Sequence, residues 1–241
     1  MAFLRQPSPI QPRWPLAIRP ETVATAEPET VITVRNSPEP WHPLDYTITN
    51  QSGGTLFTVH GHPWGLAQRR VFRDALGFPL FELRSRWYDS SMLELKLPGA
   101  MTANEIILSA KCRVAVQSPR VVMRFRNACT ALESRPAQKY THQKSLSRSS
   151  TLASLHPEET VMEILALDVD NLVQVAMVDN QTVAVFNRIT DPGVLAQGQK
   201  PPFRFRPMWT VRVARGVDLS LIAVAVVIIG QQVAGEGLAE Q

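Results

Sequence analysis

Residues 216–233 read GVDLSLIAVAVVIIGQQV, and the rest of the chain has to be arranged around them. Residues 221–229 carry no charge and are apolar on every side, whatever helical phase is drawn. A helix that is greasy all round must be surrounded, by lipid or by protein. Lipid needs about 20 apolar residues to span; Asp218 at one end and Gln231 and Gln232 at the other leave roughly half of that. The short run therefore reads as a buried core helix. Val and Ile favour strands, but three features favour the helix here. The run exceeds the mean strand of about 5–6 residues. Asp218 suits an N-cap and the positive end of a helix dipole. Ala223 and Ala225 are small enough for packing inside a closed wall. The competing reading is an ordinary C-terminal helix buried along one edge.

Outward from this helix, the chain of 241 residues suits one domain with unstructured ends, and 44% hydrophobic residues suffice for a substantial core. The first ten residues contain Arg5 and proline breaks with no apolar signal region. Cys112 and Cys129 read as reduced packing residues rather than a disulfide. These features point to the cytoplasm or nucleus.

Residues 1–45 hold Pro7, Pro9, Pro12, Pro15, Pro20, Pro28, Pro38 and Pro40 and read as a flexible arm, since each proline removes a backbone donor. Within it only VITV, residues 31–34, suits an edge strand. From Tyr46 short strands alternate with turn residues. The clearest hairpin is RRVF-R (69–73), turn Asp74 to Gly77, then LFELR (80–84), with Asp accepting backbone bonds and Gly tolerating positive φ. LELKL (93–97) alternates strictly, and strands follow over 105–116 and 121–127. Residues 131–159, rich in Ser and basic residues, read as a long surface loop. Strands return over 161–167, 172–178 and 182–189, with a turn at Asp179-Asn180, and then over 203–206 and 209–214. Residues 234–241 read as a flexible tail.

Many short strands with one strong helix indicate an antiparallel barrel or sandwich. A barrel accounts for the helix better, because a wide closed sheet leaves an interior to be filled. A helix of about 16 residues is about 24 Å long, which matches strands of about seven residues.

The hairpin with Asp74, Gly77, Leu80, Leu83 and Arg84, spaced D-x-x-G-x-x-L-x-x-L-R, resembles the hairpin signature of LURP-one-related proteins. VDNQTVAVFNRI (178–189) and WTVRVARGVDLSLIAVAVVI (209–228) are similar to that family's closing strands and helical ending. The family shares the tubby C-terminal fold with tubby proteins and phospholipid scramblases. The resemblance implies a mainly β fold: a closed antiparallel barrel of about twelve strands around a central hydrophobic C-terminal helix, over residues 46–233. It also implies a non-enzymatic protein that binds phosphoinositide or a protein partner, since tubby relatives bind phosphoinositides and are membrane-tethered regulators.

The residues themselves offer no G-x-S-x-G elbow, phosphate-cradling Gly loop or H-E-x-x-H. His60 and His62 lack further ligands at a compelling spacing, so neither metal nor cofactor is expected. Asp218 needs no catalytic role beyond its cap. The net charge of +4 hides an asymmetry: basic residues crowd residues 111–150 and acidic ones residues 158–191. Period two puts Lys111 and Arg113 on one face with Cys112 on the other, and Arg124 and Arg126 opposite Met123 and Phe125. Arg204 and Arg206 repeat the arrangement, alternating with Phe203 and Phe205. A solvated barrel wall shows the same pattern, and the basic and acidic halves can neutralise each other across neighbouring strands. If the faces converge, Lys111, Arg113, Arg124, Arg126, Arg204 and Arg206 make a patch for an anionic head group, phosphoinositide or membrane surface. The alternatives are a scramblase-like membrane protein anchored by residues 219–229 and, less favoured, a nucleic-acid-binding module over 111–148. A monomer is expected.

Overall fold

The computed structural model describes residues 7–26, 29–37, 45–62, 69–86, 88–100, 102, 105–113, 120–133, 159–168, 170–189 and 208–239. They form a closed antiparallel barrel of twelve strands threaded by a C-terminal helix. In chain order the strands are β1 (Glu29–Asn36), β2 (Tyr46–Asn50), β3 (Thr55–His62), β4 (Arg69–Asp74), β5 (Pro79–Arg86) and β6 (Asp89–Lys96). Then come β7 (Ile106–Arg113), β8 (Arg120–Arg126), β9 (Glu159–Ala166), β10 (Val173–Val178), β11 (Gln181–Ile189) and β12 (Met208–Ala214). Each strand pairs with its chain neighbour, and β1 closes the ring on β12. A short helix α1 (Ala128–Glu133) follows β8, and α2 (Leu219–Ala239) follows β12.

Period-two alternation builds the wall. On β1, Ile32 and Val34 point inward and are buried; on β6, Leu93 and Leu95 do the same; on β8, Val121, Met123 and Phe125. The β4–β5 turn forms as the sequence suggests: Asp74 Oδ1 accepts from Leu76 N and Phe78 N, each at 2.9 Å, and Gly77 takes φ +85°. Asp179 and Asn180, both at positive φ, make the two-residue turn between β10 and β11.

The interior is filled by α2. From Leu221 to Ile229 every side chain is at most 1% exposed and lies in one core with residues from all round the wall. Asp218 caps the helix through Ser220 N at 2.7 Å. This enclosure removes residues 219–229 as a membrane anchor, and no helix among the described residues is long and apolar enough to cross a membrane.

Three boundaries drawn from sequence change. The barrel starts before Tyr46, because VITV lies in β1, which is paired on both sides and so is no edge strand. The described part of the expected flexible arm is held in place as well. Ile10 N donates to Thr182 O at 2.7 Å, Leu16 N to Gly216 O at 2.8 Å, and Ala24 N to Val217 O at 2.9 Å. Prolines exclude a regular ladder, but the remaining N–H groups bond singly, to β11 and to the β12–α2 connection. The helix also runs to Ala239, where a tail was expected from residue 234; neither a proline nor a capping side chain interrupts residues 234–239. The expected strand over 203–206, with Arg204 and Arg206, lies outside the described residues. So does the Ser-rich loop from residue 134 to 158, whose start is α1.

Because the strands run up and down in turn, the hairpins β2–β3, β4–β5 and β10–β11 sit at one end of the barrel, here the lower end. There α2 begins. It leaves at the upper end, where β2 and β4 start.

Candidate functional site

Four of the six basic residues singled out from sequence come together. Lys111 and Arg113 on β7 and Arg124 and Arg126 on β8 are exposed on the outer face of one ladder, while Ala110, Met123 and Phe125 point into the core. The register sets Lys111 opposite Val122, Ser109 opposite Arg124, and Arg113 opposite Arg120. Like charges placed directly across a ladder repel. Arg120 belongs to this strip although it was not picked out; its pairing with Arg113 follows from the register, which single-strand alternation does not reveal.

The neighbouring acidic strand neutralises part of the strip. On β9, Glu163 pairs with Arg120 and Glu159 lies 3.7 Å from Arg124 Nη1. β8 and β9 are adjacent, so part of the basic stretch of the chain lies against part of the acidic one. Among the described residues neither Arg113 nor Arg126 has an acidic partner within ion-pair distance. Asp89 flanks Lys111: hydrogen bonds from Ser91 hold its carboxyl below the ordinary value, with Lys111 and Arg86 adding to the effect. Exposed pairs of this kind are worth about 0–1 kcal/mol, so they leave the arginines free to exchange partners.

A second charged group lies on β4 and β5. Glu82 is buried on the outer wall, clasped by Arg69 and Arg84. Burial alone would raise its pKa, but the hydrogen bonds from Arg84 and Arg69 outweigh this and hold the carboxyl below its ordinary value. Next to it Glu94 takes Arg86 and Lys96.

The two ends of the barrel carry the remaining buried polar groups. At the lower end Asp218 Oδ2 accepts from Ile18 N at 3.0 Å and Arg19 N at 2.8 Å, while Oδ1 takes Ser220 N and Thr22 Oγ1. Asn127 Oδ1 accepts from Ala17 N at 3.1 Å, and its Nδ2 donates to Pro15 O at 2.8 Å. At the upper end the inward-facing Arg70 is fully buried beside Tyr46 and the exit of α2. Its Nη1 donates to Gln231 Oε1 at 2.8 Å, and desolvation lowers its pKa. Sequence reading passed over Arg70, though parity carried the signal: with Phe72 facing in, Arg70 faces in too.

Cys112 leans against the core, and burial pushes its thiol pKa up to about 11; both cysteines are free thiols. Among the described residues no cluster of His, Cys, Asp and Glu could hold a metal ion. His60 Nδ1 instead lies 3.3 Å from Asp45 Oδ2.

A closed twelve-stranded meander around an apolar C-terminal helix places the chain in the class of helix-filled barrels that the three motifs suggested. The family model for LURP-one-related proteins matches residues 30–230, and the chain belongs to that family. Its start falls in β1, in agreement with the corrected boundary. Among solved structures, the X-ray structure of the Arabidopsis thaliana protein AT5G01750 is similar, with 16% identity, 90% of this chain and 97% of that one covered, and a TM-score of 0.48. No curated protein matches the chain as a relative.

Proposed function

We propose that this LURP-one-related barrel is a non-enzymatic binding protein that engages an anionic membrane surface, phosphoinositide head groups in particular, through the outer face of β7 and β8. One observation carries the reading: Arg113, without an acidic partner among the described residues, is set opposite Arg120 and two residues along β7 from Lys111 on an exposed face, a crowding of like charge that an anion would relieve. Arginine forks suit phosphate oxygens, and Arg124 and Arg126 extend the same face. The acidic strand β9 limits the strip on one side and gives it direction.

Sedimentation with phosphatidylcholine vesicles, with and without phosphoinositide, tests this. The protein should pellet with the charged vesicles, and Lys111→Glu with Arg113→Glu should abolish pelleting while the melting temperature stays unchanged. Equal, negligible pelleting on both vesicles would remove the lipid reading and leave a protein partner as the occupant of this face.

A further inference from the structure

Among the described residues three charged side chains are buried: Arg70, Glu82 and Asp218. Glu82 is clasped by two arginines, and Asp218 accepts four hydrogen bonds. Arg70 has nothing comparable. Only Nη1 is engaged, by Gln231, while Nε and Nη2 are buried without an acceptor. A guanidinium cannot shed its charge at ordinary pH. Nor does the helix end compensate it. α2 continues to Ala239, so the carbonyls that give a helix its negative pole lie beyond Gln231.

Nε and Nη2 share one edge of the guanidinium plane. Their N–H bonds run parallel, at the spacing that meets two oxygens of a single oxyanion. Beneath them the barrel is closed by Tyr46 and Trp209, which approach α2 so tightly that a Cβ on Gly230 would stand 2.9 Å from Tyr46 Oη and 2.8 Å from Trp209 Cη2. Tyr46 is level with Phe72 in the register, so Arg70 lies one inward position nearer the upper end than this closure.

We infer that Arg70 anchors an oxyanion site at the upper mouth of the barrel, taking a phosphate group, free or on a lipid head, through Nε and Nη2. The site is separate from the outer face of β7 and β8 and does not depend on it. Both nitrogens are buried beside Gln231 of α2. Binding thereby couples to the Arg70–Gln231 contact that holds the exit of α2.

Thermal melting of the full chain tests the site, in chloride and in inorganic phosphate at matched ionic strength, and with phosphatidylcholine vesicles with and without a phosphatidylinositol phosphate. Wild-type protein should gain several degrees, saturably, as a ligand that binds only the folded state requires. Arg70→Met should melt above wild type in chloride, because an unpaired buried charge has been removed, and should not respond to phosphate. Arg70→Lys, which keeps the charge without the fork, should respond at least tenfold more weakly and provides the comparison if the Met variant fails to fold. A shift with free phosphate assigns the soluble anion, and a shift with phosphoinositide vesicles alone assigns the lipid. Both support the site, provided that the Lys111→Glu, Arg113→Glu variant retains the shift. No shift in either arm, or equal shifts in wild type and the Arg70 variants, overturns it.

Discussion

The lower and upper ends of the barrel solve the same problem in opposite ways. Both must seal the opening around α2 against water with polar groups. At the lower end Asp218 ties the arm to the start of α2 and Asn127 ties it to the end of β8, and each carboxylate oxygen of Asp218 has two donors. At the upper end a buried cation keeps two of its N–H-bearing nitrogens unused. A satisfied network fixes one arrangement, whereas a partly satisfied one is held at a cost that a ligand can repay. The lower end is thus a structural seam, whereas the upper end keeps an unused pair of donors, the ones assigned above to an anion.

Substitutions can break or sharpen this contrast. The largest effect is expected midway: Ala225→Asp puts an unpaired charge among fully buried side chains. That costs several kcal/mol, of the order of a domain's whole stability, and should leave no cooperative melt whichever end is intact. Asp218→Ala should come next, at about 3–5 kcal/mol in urea titration, because it leaves the amides of Ile18, Arg19 and Ser220 without their acceptor. An Asp218→Ala protein as stable as wild type would dissolve the distinction between the ends. Gly230→Ala should cost about 1–3 kcal/mol by overpacking against Trp209 and Tyr46, which would loosen the upper end while the lower stays closed. The smallest effect concerns the outer wall. The carboxyl of Glu82 is depressed in the folded state, so its contribution is present above its unfolded pKa, near 4.5, and is lost as pH falls through the folded value. The difference in stability between wild type and Glu82→Gln should therefore shrink as the pH drops below about 4.5, which acid melts of the two proteins would register.

Much of this was legible in the sequence because the signals are local. The apolar run at 221–229, the cap at Asp218 and the turns at Asp74–Gly77 and Asp179-Asn180 each depend on a few adjacent residues. What stayed hidden depends on pairing partners distant in sequence. Nothing within 31–34 says that VITV is held by both β2 and β12. The prolines of residues 7–26 correctly exclude a ladder, yet they do not exclude single hydrogen bonds to Asp218 and Asn127 some hundred or more residues away. For the candidate site, parity alone put Lys111, Arg113, Arg124 and Arg126 on an outer face. The register supplied Arg120 and the opposing Glu159 and Glu163.

The central claim is that residues 221–229 form a helix enclosed by the protein's own strands. Amide hydrogen exchange in lipid-free buffer tests it most directly. These amides should exchange only through global unfolding, with protection free energies equal to the stability measured in urea. Fast exchange in buffer, with protection appearing only when vesicles are added, would contradict it.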